Sequence, residues 1–439
     1  MSLLSTLRAR MGGFAGKSIF SLLVKVSGAF AGYLFFLVFA NRLGAEQFGL
    51  FAFALSIANF AMLAAGFGQP MLMLRNMTYA LADKDMAMGR GVLRFGLRAT
   101  GLGALAGVVG IAIFGLIAPL LGAPSGLGLY AAAMGLLVPL VAAELLASLQ
   151  RVSGVVVMAI APKDLLWRLL SIVALLGLGA FGLALDAVGA LWLAAGVLVA
   201  LAFWQGVDAR RRLSPVLRAP EGGEIHRAKM RKASLHFWGI AVASGLAQHL
   251  TVVAVGFRGD PETIGAFFAA FRTASLLAMP LTAANIVLAP MIARHHKEAR
   301  RDLIQKVIVQ FIMLATLPTL VGLVILAVWG REVLGLFDPS FGMAYPALLV
   351  FALSFLVNTV TGPCGYMMMM SGAEAKFLRY TLVTNLAGVV GAAAAIGFGM
   401  IWAAAAIGLA SATQNLLAAR WSRRHAGVEA TIACLWKKM

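Results

Sequence analysis

Two cations, Lys25 and Arg272, stand inside long apolar runs of the sequence, where a charged side chain is costly unless it faces a cavity or a partner. An ammonium and a guanidinium placed there suit an anionic ligand, phosphate above all, because the guanidinium offers a rigid fork of donors to its oxygens. The alternative is a structural ion pair, for instance Lys25 with Glu144, a carboxylate in another such run. Polar side chains stand in further apolar runs: Gln248 and His249, Asn285, Asn358, Asn385, Gln414 and Asn415. Each carboxamide both donates and accepts, which suits sugar hydroxyls and equally suits hydrogen bonds between helices. His249 could carry a coupling proton or be a satisfied interior histidine. Arg98, and Asp164 with Arg168 at i,i+4 spacing, lie near the ends of their runs and read as interfacial.

No pattern for covalent or metal chemistry accompanies them. The stretch from Gly12 through Gly16, Lys17 and Ser18 resembles a phosphate-binding loop. That loop needs four residues between its glycines, however, and Met11 stands where the first would fall. There is neither a two-histidine zinc helix nor a paired acidic cluster, and Cys364 and Cys434 make neither a disulfide framework nor a metal site. His295 and His296 read as a solvated turn. The expectation is a protein without catalytic residues, cofactor or metal.

The elements that must position these side chains follow from composition. Of 439 residues, 61% are hydrophobic and 12% charged, against roughly 45–50% and about 25% in soluble domains. Stretches of about 20 apolar residues, each long enough to cross a bilayer as a helix, recur at 18–40, 48–73, 92–121, 127–150, 163–183, 187–207, 233–256, 263–290, 305–329, 343–370, 375–398 and 400–421. The first follows Arg8, Arg10 and Lys17, is too long for a signal peptide, and reads as span 1 of twelve. Lys and Arg number 36 against 17 Asp and Glu, a net charge of +19, an excess also found in nucleic-acid binders. Its distribution assigns it to topology. The loops after the odd-numbered spans hold only Arg42, Arg258 and Arg331 among cations, alongside Glu46, Asp186, Asp260, Glu262, Glu332 and Asp338. The cation-rich loops and both termini are therefore expected in the cytoplasm.

The basic stretch from Arg210 to Lys232, with Pro215, Pro220, Gly222 and Gly223, falls near mid-chain and reads as a linker whose cations touch anionic lipid. The expected organisation is a six-helix bundle over 1–208, a basic cytoplasmic linker over 209–232, a second six-helix bundle over 233–423 and a cytoplasmic tail over 424–439. The halves repeat. Glu46, Gly49 and Phe51 opening span 2 match Glu262, Gly265 and Phe267 opening span 8. Pro70 and Met71 before Arg75 match Pro290 and Met291 before Arg294. Six spans per half is an even number, so both halves enter the membrane in the same orientation and a pseudo-two-fold along the membrane normal relates them, as in secondary transporters. Spans 1 and 8 come from opposite halves, so Lys25 and Arg272 could face one central cavity. Gly28 with Gly32, and Gly103 with Gly107, have the spacing for close helix contact. Pro119, Pro139, Pro280, Pro318 and Pro363 mark kinks.

The stretch Phe39, Arg42, Leu43, Gly44, Glu46, Phe48, Gly49 resembles a signature of the polysaccharide transporter branch of the multidrug/oligosaccharidyl-lipid/polysaccharide (MOP) exporter superfamily, which includes Wzx-type O-antigen flippases. Gly259 to Gly265, Leu288 to Met291, and Ala161 to Arg168 are similar to its later segments. The resemblance implies an all-α membrane fold like that of MATE transporters and lipid II flippases. It also implies translocation of undecaprenyl-diphosphate-linked oligosaccharide across the bacterial inner membrane. Lys25, Arg272, Asn285 and Asn358 would bind the substrate, with Glu144, Gln248 and His249 in coupling or support. Partners would be the lipid-linked glycan, membrane lipid, a polysaccharide polymerase and a chain-length regulator, and no nucleic acid. Gln248, His249 and Leu250 stand where many relatives have an acid, which puts cation coupling there in doubt. A drug exporter of the same superfamily would be expected to have an acidic cavity for cationic drugs. A glycan polymerase or ligase would be expected to have a large outer loop, and the longest here, 330–342, is short.

Overall fold

The computed structural model describes residues 13–220, 227–285, 301–429 and 431–432, and among them there is helix and turn but no strand. Eleven helices among the described residues are long and apolar enough to cross a membrane. The fifth sequence span is carried by Val156–Ala161, Pro162–Leu166 and Trp167–Ala180, which run on through a π turn. Pro162 lacks the N–H an α-helix needs, and the inserted residue of a π turn accommodates it. The architecture is thus all-helical with about twelve spans, as composition and length require.

Two spans end earlier than their apolar runs suggest. Span 2 stops at Ala65, because Phe67 and Gly68 adopt φ of 43° and 67°. Pro70 then does not close span 2 but opens a separate helix, Gln69–Ala82, at whose first turn its missing N–H costs nothing. Span 10 is Tyr345–Thr361; Gly362, at φ 68°, and Pro363 break it from the short helix Cys364–Met370. Of the other prolines, Pro139 and Pro318 are accommodated inside long helices, while Pro119 opens a 3-10 turn. The matching Pro290 and Met291, with His295 and His296, lie outside the described residues.

The chain forms two compact units. The first takes its described residues from Met1–Phe39, Ala61–Ile111 and Ala131–Trp238. Within it the Gly28 and Gly32 spacing serves span 5. A Cβ on Gly28 would meet the Asp164 carbonyl at 3.0 Å, one on Gly32 would meet the Arg168 guanidinium at 2.5 Å, and Arg168 Nη1 donates to the Gly28 carbonyl. The described part of the basic linker is docked. Leu213, Val216 and Met230 are buried with Leu72, Met73, Val92 and Leu149, and Arg90 donates to the Ala219 carbonyl. Arg210, Arg211, Arg218, Lys229, Arg231 and Lys232 stay exposed.

The second unit contains Ala40–Phe60, Ala112–Tyr130 and the described part of Gly239–Met439, so it includes the ends of spans 1 and 3 and the beginnings of spans 2 and 4. There the two copies of the repeated motif cross. A Cβ on Gly49 would lie 1.6 Å from the Pro261 carbonyl oxygen, and one on Gly265 would lie 3.2 Å from that of Ala45. Each motif makes the same contact with roles exchanged, which is the mark of a local two-fold between duplicated segments. Around the crossing, the Phe48 ring packs within 5.9 Å of Phe268, 6.0 Å of Phe341 and 6.4 Å of Phe337. Asp260 caps the helix Pro261–Ser275, its Oδ1 accepting from Thr263 N at 2.7 Å.

Candidate functional site

The second unit contains a partly open cavity of about 450 Å³ lined by five helices, all from its 244–414 region. Each helix contributes one stripe at helical spacing: Ser244, Ala247, Gln248 and Thr251 from span 7; Phe271, Ser275 and Ala278 from span 8; Phe351, Ser354, Phe355 and Asn358 from span 10. Thr381, Asn385 and Gly388 from span 11, and Ile407, Ala410, Ser411 and Gln414 from span 12, complete the wall. Residues three, four and seven apart share a helix face, so each helix turns one such stripe toward the cavity.

Arg272 is the only charged side chain among the described residues of this lining. Its guanidinium carbon lies 4.9 Å from the Phe268 ring centroid, a cation–π contact that fixes the head group near the apolar wall. Beside it, Phe271 meets Phe351 edge-on, at 5.2 Å and 79°, and Phe355 at 6.1 Å. A π turn over Leu246–Leu250 in span 7 carries Gln248 on the cavity side, while His249 is buried off the lining. Asn385 Nδ2 donates to the Ala243 carbonyl at 2.9 Å, tying span 11 to span 7, and Thr384 Oγ1 donates to Gln414 Oε1 at 3.4 Å.

The structure therefore brings Arg272, Asn358 and Gln248 together, with Asn385 and Gln414 beside them. Asn285 is not on this lining; its Oδ1 is buried without a hydrogen-bond partner among the described residues. Lys25 lies in the helix Gly13–Leu43, and its side chain falls outside the described residues. Glu144 belongs to the first unit, where it pairs with Lys163 and, at 3.9 Å, with Arg151. Among the described residues, then, the ion pairs of Glu144 are made by Lys163 and Arg151, and the Lys25 alternative lies outside them. The aromatic wall of Phe271, Phe351 and Phe355 was not legible as a site, because phenylalanine in a span ordinarily faces lipid. The five matched stripes are the signal that could have found it.

The chemistry such a cavity offers is binding. One fixed positive charge, carboxamides and hydroxyls stand in an apolar, aromatic frame, with no nucleophile and base in a bonded pair among its lining residues. No group of histidine, cysteine or acid side chains among the described residues could hold a metal ion.

The profile of a family described as "Polysaccharide biosynthesis protein" matches residues 14–296. No curated protein matches the chain in sequence. Among solved structures, the chain is similar to a multidrug resistance MATE family transporter of the MOP superfamily in an inward-facing conformation. The TM-score is 0.69 at 15% identity, covering 95% of this chain and 100% of that one. It is also similar to the lipid II flippase MurJ in an inward closed conformation, with TM-score 0.66, 13% identity, and 92% and 87% covered. A third is a MOP superfamily transporter from Pyrococcus furiosus, described as having a binding pocket of reverse polarity that suggests a different function. Its TM-score is 0.58 at 16% identity, with 96% and 97% covered. At these identities the likeness is one of fold.

Proposed function

We propose, for a chain that belongs to the polysaccharide biosynthesis protein family of the MOP superfamily, that it flips undecaprenyl-diphosphate-linked oligosaccharide across the bacterial inner membrane by alternating access. The observation that carries this reading is the sign of the cavity: among its described lining residues Arg272 is the one charge, amid neutral hydrogen-bonding groups. A cationic drug would meet repulsion there, whereas a phosphate gains a charge-assisted hydrogen bond in a site of low dielectric. In this reading Arg272 holds the diphosphate. Asn358 and Gln248 meet the sugars, and the protein transports without catalysing a covalent step. Binding the head group in one conformation and releasing it in the other moves it between leaflets, provided its affinity differs between the two. A polysaccharide polymerase would consume the product on the outer side, with a chain-length regulator beside it.

The test is a strain lacking the gene. It is expected to lose surface polysaccharide and to accumulate lipid-linked repeat units, both restored by the wild-type protein but not by Arg272→Gln expressed to the same level. Full restoration by Arg272→Gln would remove the site, and unchanged polysaccharide in the deletion strain would remove the function.

A further inference from the structure

We infer that the first unit carries a binding site for the headgroup of an anionic phospholipid, built where the helix Gln69–Ala82 lies against the start of span 7 and centred on Arg75. It shares no residue with the Arg272 cavity. The apolar run of span 2 would carry its helix past Ala65, but the backbone turns at Phe67 and Gly68, with φ of 43° and 67°. A positive φ is costly for a bulky side chain and persists only where its surroundings fix it. The start of span 7 does so. Ser234 Oγ donates to the Phe67 carbonyl and accepts from Gln69 Nε2 at 2.8 Å, Trp238 Nε1 donates to the Ala64 carbonyl at 2.8 Å, and the Phe67 and Trp238 rings stack at 5.8 Å. A helix of 14 residues is thereby set at the end of a membrane span and tied sideways to another.

That helix buries Leu72, Met73 and Met77 and leaves Met71, Arg75, Thr78 and Tyr79 exposed on its other face. Two apolar side chains, Met71 and Tyr79, 51% and 57% exposed, thus flank a cation, the pattern of a helix at a bilayer surface. The guanidinium carbon of Arg75 lies 5.2 Å from the Phe237 ring centroid. A head group stacked this way keeps its N–H edges for a phosphate. Lys229 stands two turns before Phe237 on the same stripe of span 7, with Ala233 between them, and is exposed, as are Arg231 and Lys232. Among the described residues no carboxylate pairs with any of these four cations, and Asp85, beyond the end of the helix, is engaged in accepting from Met88 N at 2.8 Å. Charge alone would suit any phosphate. The apolar neighbours select the lipid, because a free anion has no use for Met71, Tyr79 and the 58% exposed Leu235, whereas a phospholipid has glycerol and acyl chains to cover them.

The experiment titrates the purified full-length protein in detergent with dioleoyl phosphatidylglycerol or dioleoyl phosphatidylcholine and counts bound lipids by native mass spectrometry. The chains are identical, so the comparison reads the headgroup; phosphatidylcholine sets its own cation against the phosphate. The first phosphatidylglycerol is expected to bind about fivefold or more tighter than the first phosphatidylcholine, the factor one Lys or Arg contributes at an anionic surface. Arg75→Gln should remove most of that preference and Phe237→Leu part of it, while Arg75→Lys, which keeps the charge but not the flat fork, should retain part. The double variant Arg210→Gln with Arg211→Gln, at cations exposed at the end of span 6, should leave the preference unchanged. Melting temperatures of all variants separate lost binding from lost folding. Equal affinity for the two lipids would overturn the site, as would an equal loss in the Arg210 and Arg211 double variant, which would reduce it to diffuse attraction. Displacement of the lipid by inorganic phosphate at constant ionic strength would assign the face to a free anion, and a dimer that Arg75→Gln dissociates would assign it to a second copy of the chain; either result removes the lipid site.

Discussion

At the scale of single residues, binding in the cavity depends on what kind of cation occupies position 272. A guanidinium can lie flat against Phe268 and still direct parallel N–H groups at a phosphate, whereas an ammonium is a compact point charge. Arg272→Lys is therefore expected to keep transport but lower it about tenfold, the value of one lost bidentate contact, and Arg272→Gln to abolish it. Surface polysaccharide, quantified at matched protein level, checks both. In the first unit, Glu144→Gln removes the charge that Lys163 and Arg151 face, at sites 29% and 21% exposed for Glu144 and Lys163. It should destabilise the protein by about 1.5–3 kcal/mol, the worth of a hydrogen bond to a charged group, and pairing it with Lys163→Met should recover most of the loss. Thermal unfolding of the two variants in one detergent measures this. Arg272, Gln248, Asn358, Asn385 and Gln414 were legible in the sequence because a polar side chain in a span needs a reason. Lys163 as the partner of Glu144 was not, since it stands at a span end where snorkelling explains a lysine equally well.

At the scale of elements, the glycines of the repeated motif show how a duplicated sequence becomes a crossing. Gly49→Leu would drive a side chain into the Pro261 carbonyl. It is expected to cost at least about 3 kcal/mol, the upper range for overpacking, while Gly44→Ala, which meets nothing within 4 Å, costs only the strain of its φ of 78°. Melting temperatures of the two variants decide. The tail is a second case. Gln305 exchanges two hydrogen bonds with the Glu429 backbone, at 2.8 and 2.9 Å, and Val428 is buried against Ile304, Cys364 and Met367. Burial alone would raise the Glu429 carboxyl, but Thr431 and Arg423, the latter at 2.6 Å, outweigh it and hold the group below the usual carboxylate range. A carboxyl lowered in the folded state stabilises docking at pH above its ordinary value, and that contribution is lost as pH falls through the lowered one. Glu429→Gln should therefore mimic acid at neutral pH, speeding alkylation of buried Cys364 in a Cys434→Ser background; an unchanged rate would show that the carboxylate does not hold the tail. Span existence was legible here and span ends were not. The apolar run continues through Gly66, Phe67 and Gly68, where backbone conformation rather than hydrophobicity ends the helix.

At the scale of the whole molecule, composition and charge sorting were enough to read an all-helical chain of about twelve spans, because lipid permits few other solutions. The five-helix cavity was out of reach, since it depends on which stripes of five separate helices face one another. Orientation has its own check. Single cysteines replacing Arg218 and Glu332 are expected to label from opposite sides of intact cells, Glu332→Cys from outside and Arg218→Cys only after permeabilisation, as the loop charges require. The central claim is that this fold moves an anionic lipid-linked glycan by means of the Arg272 cavity. Reconstitution in proteoliposomes carrying undecaprenyl-diphosphate-linked glycan tests it most directly, with movement between leaflets read by enzymatic access to the sugar. The account predicts rapid transfer with the wild type and background transfer with Arg272→Gln inserted in equal amount. Equal transfer by both proteins, or none by the wild type while it exports a cationic drug, would contradict it.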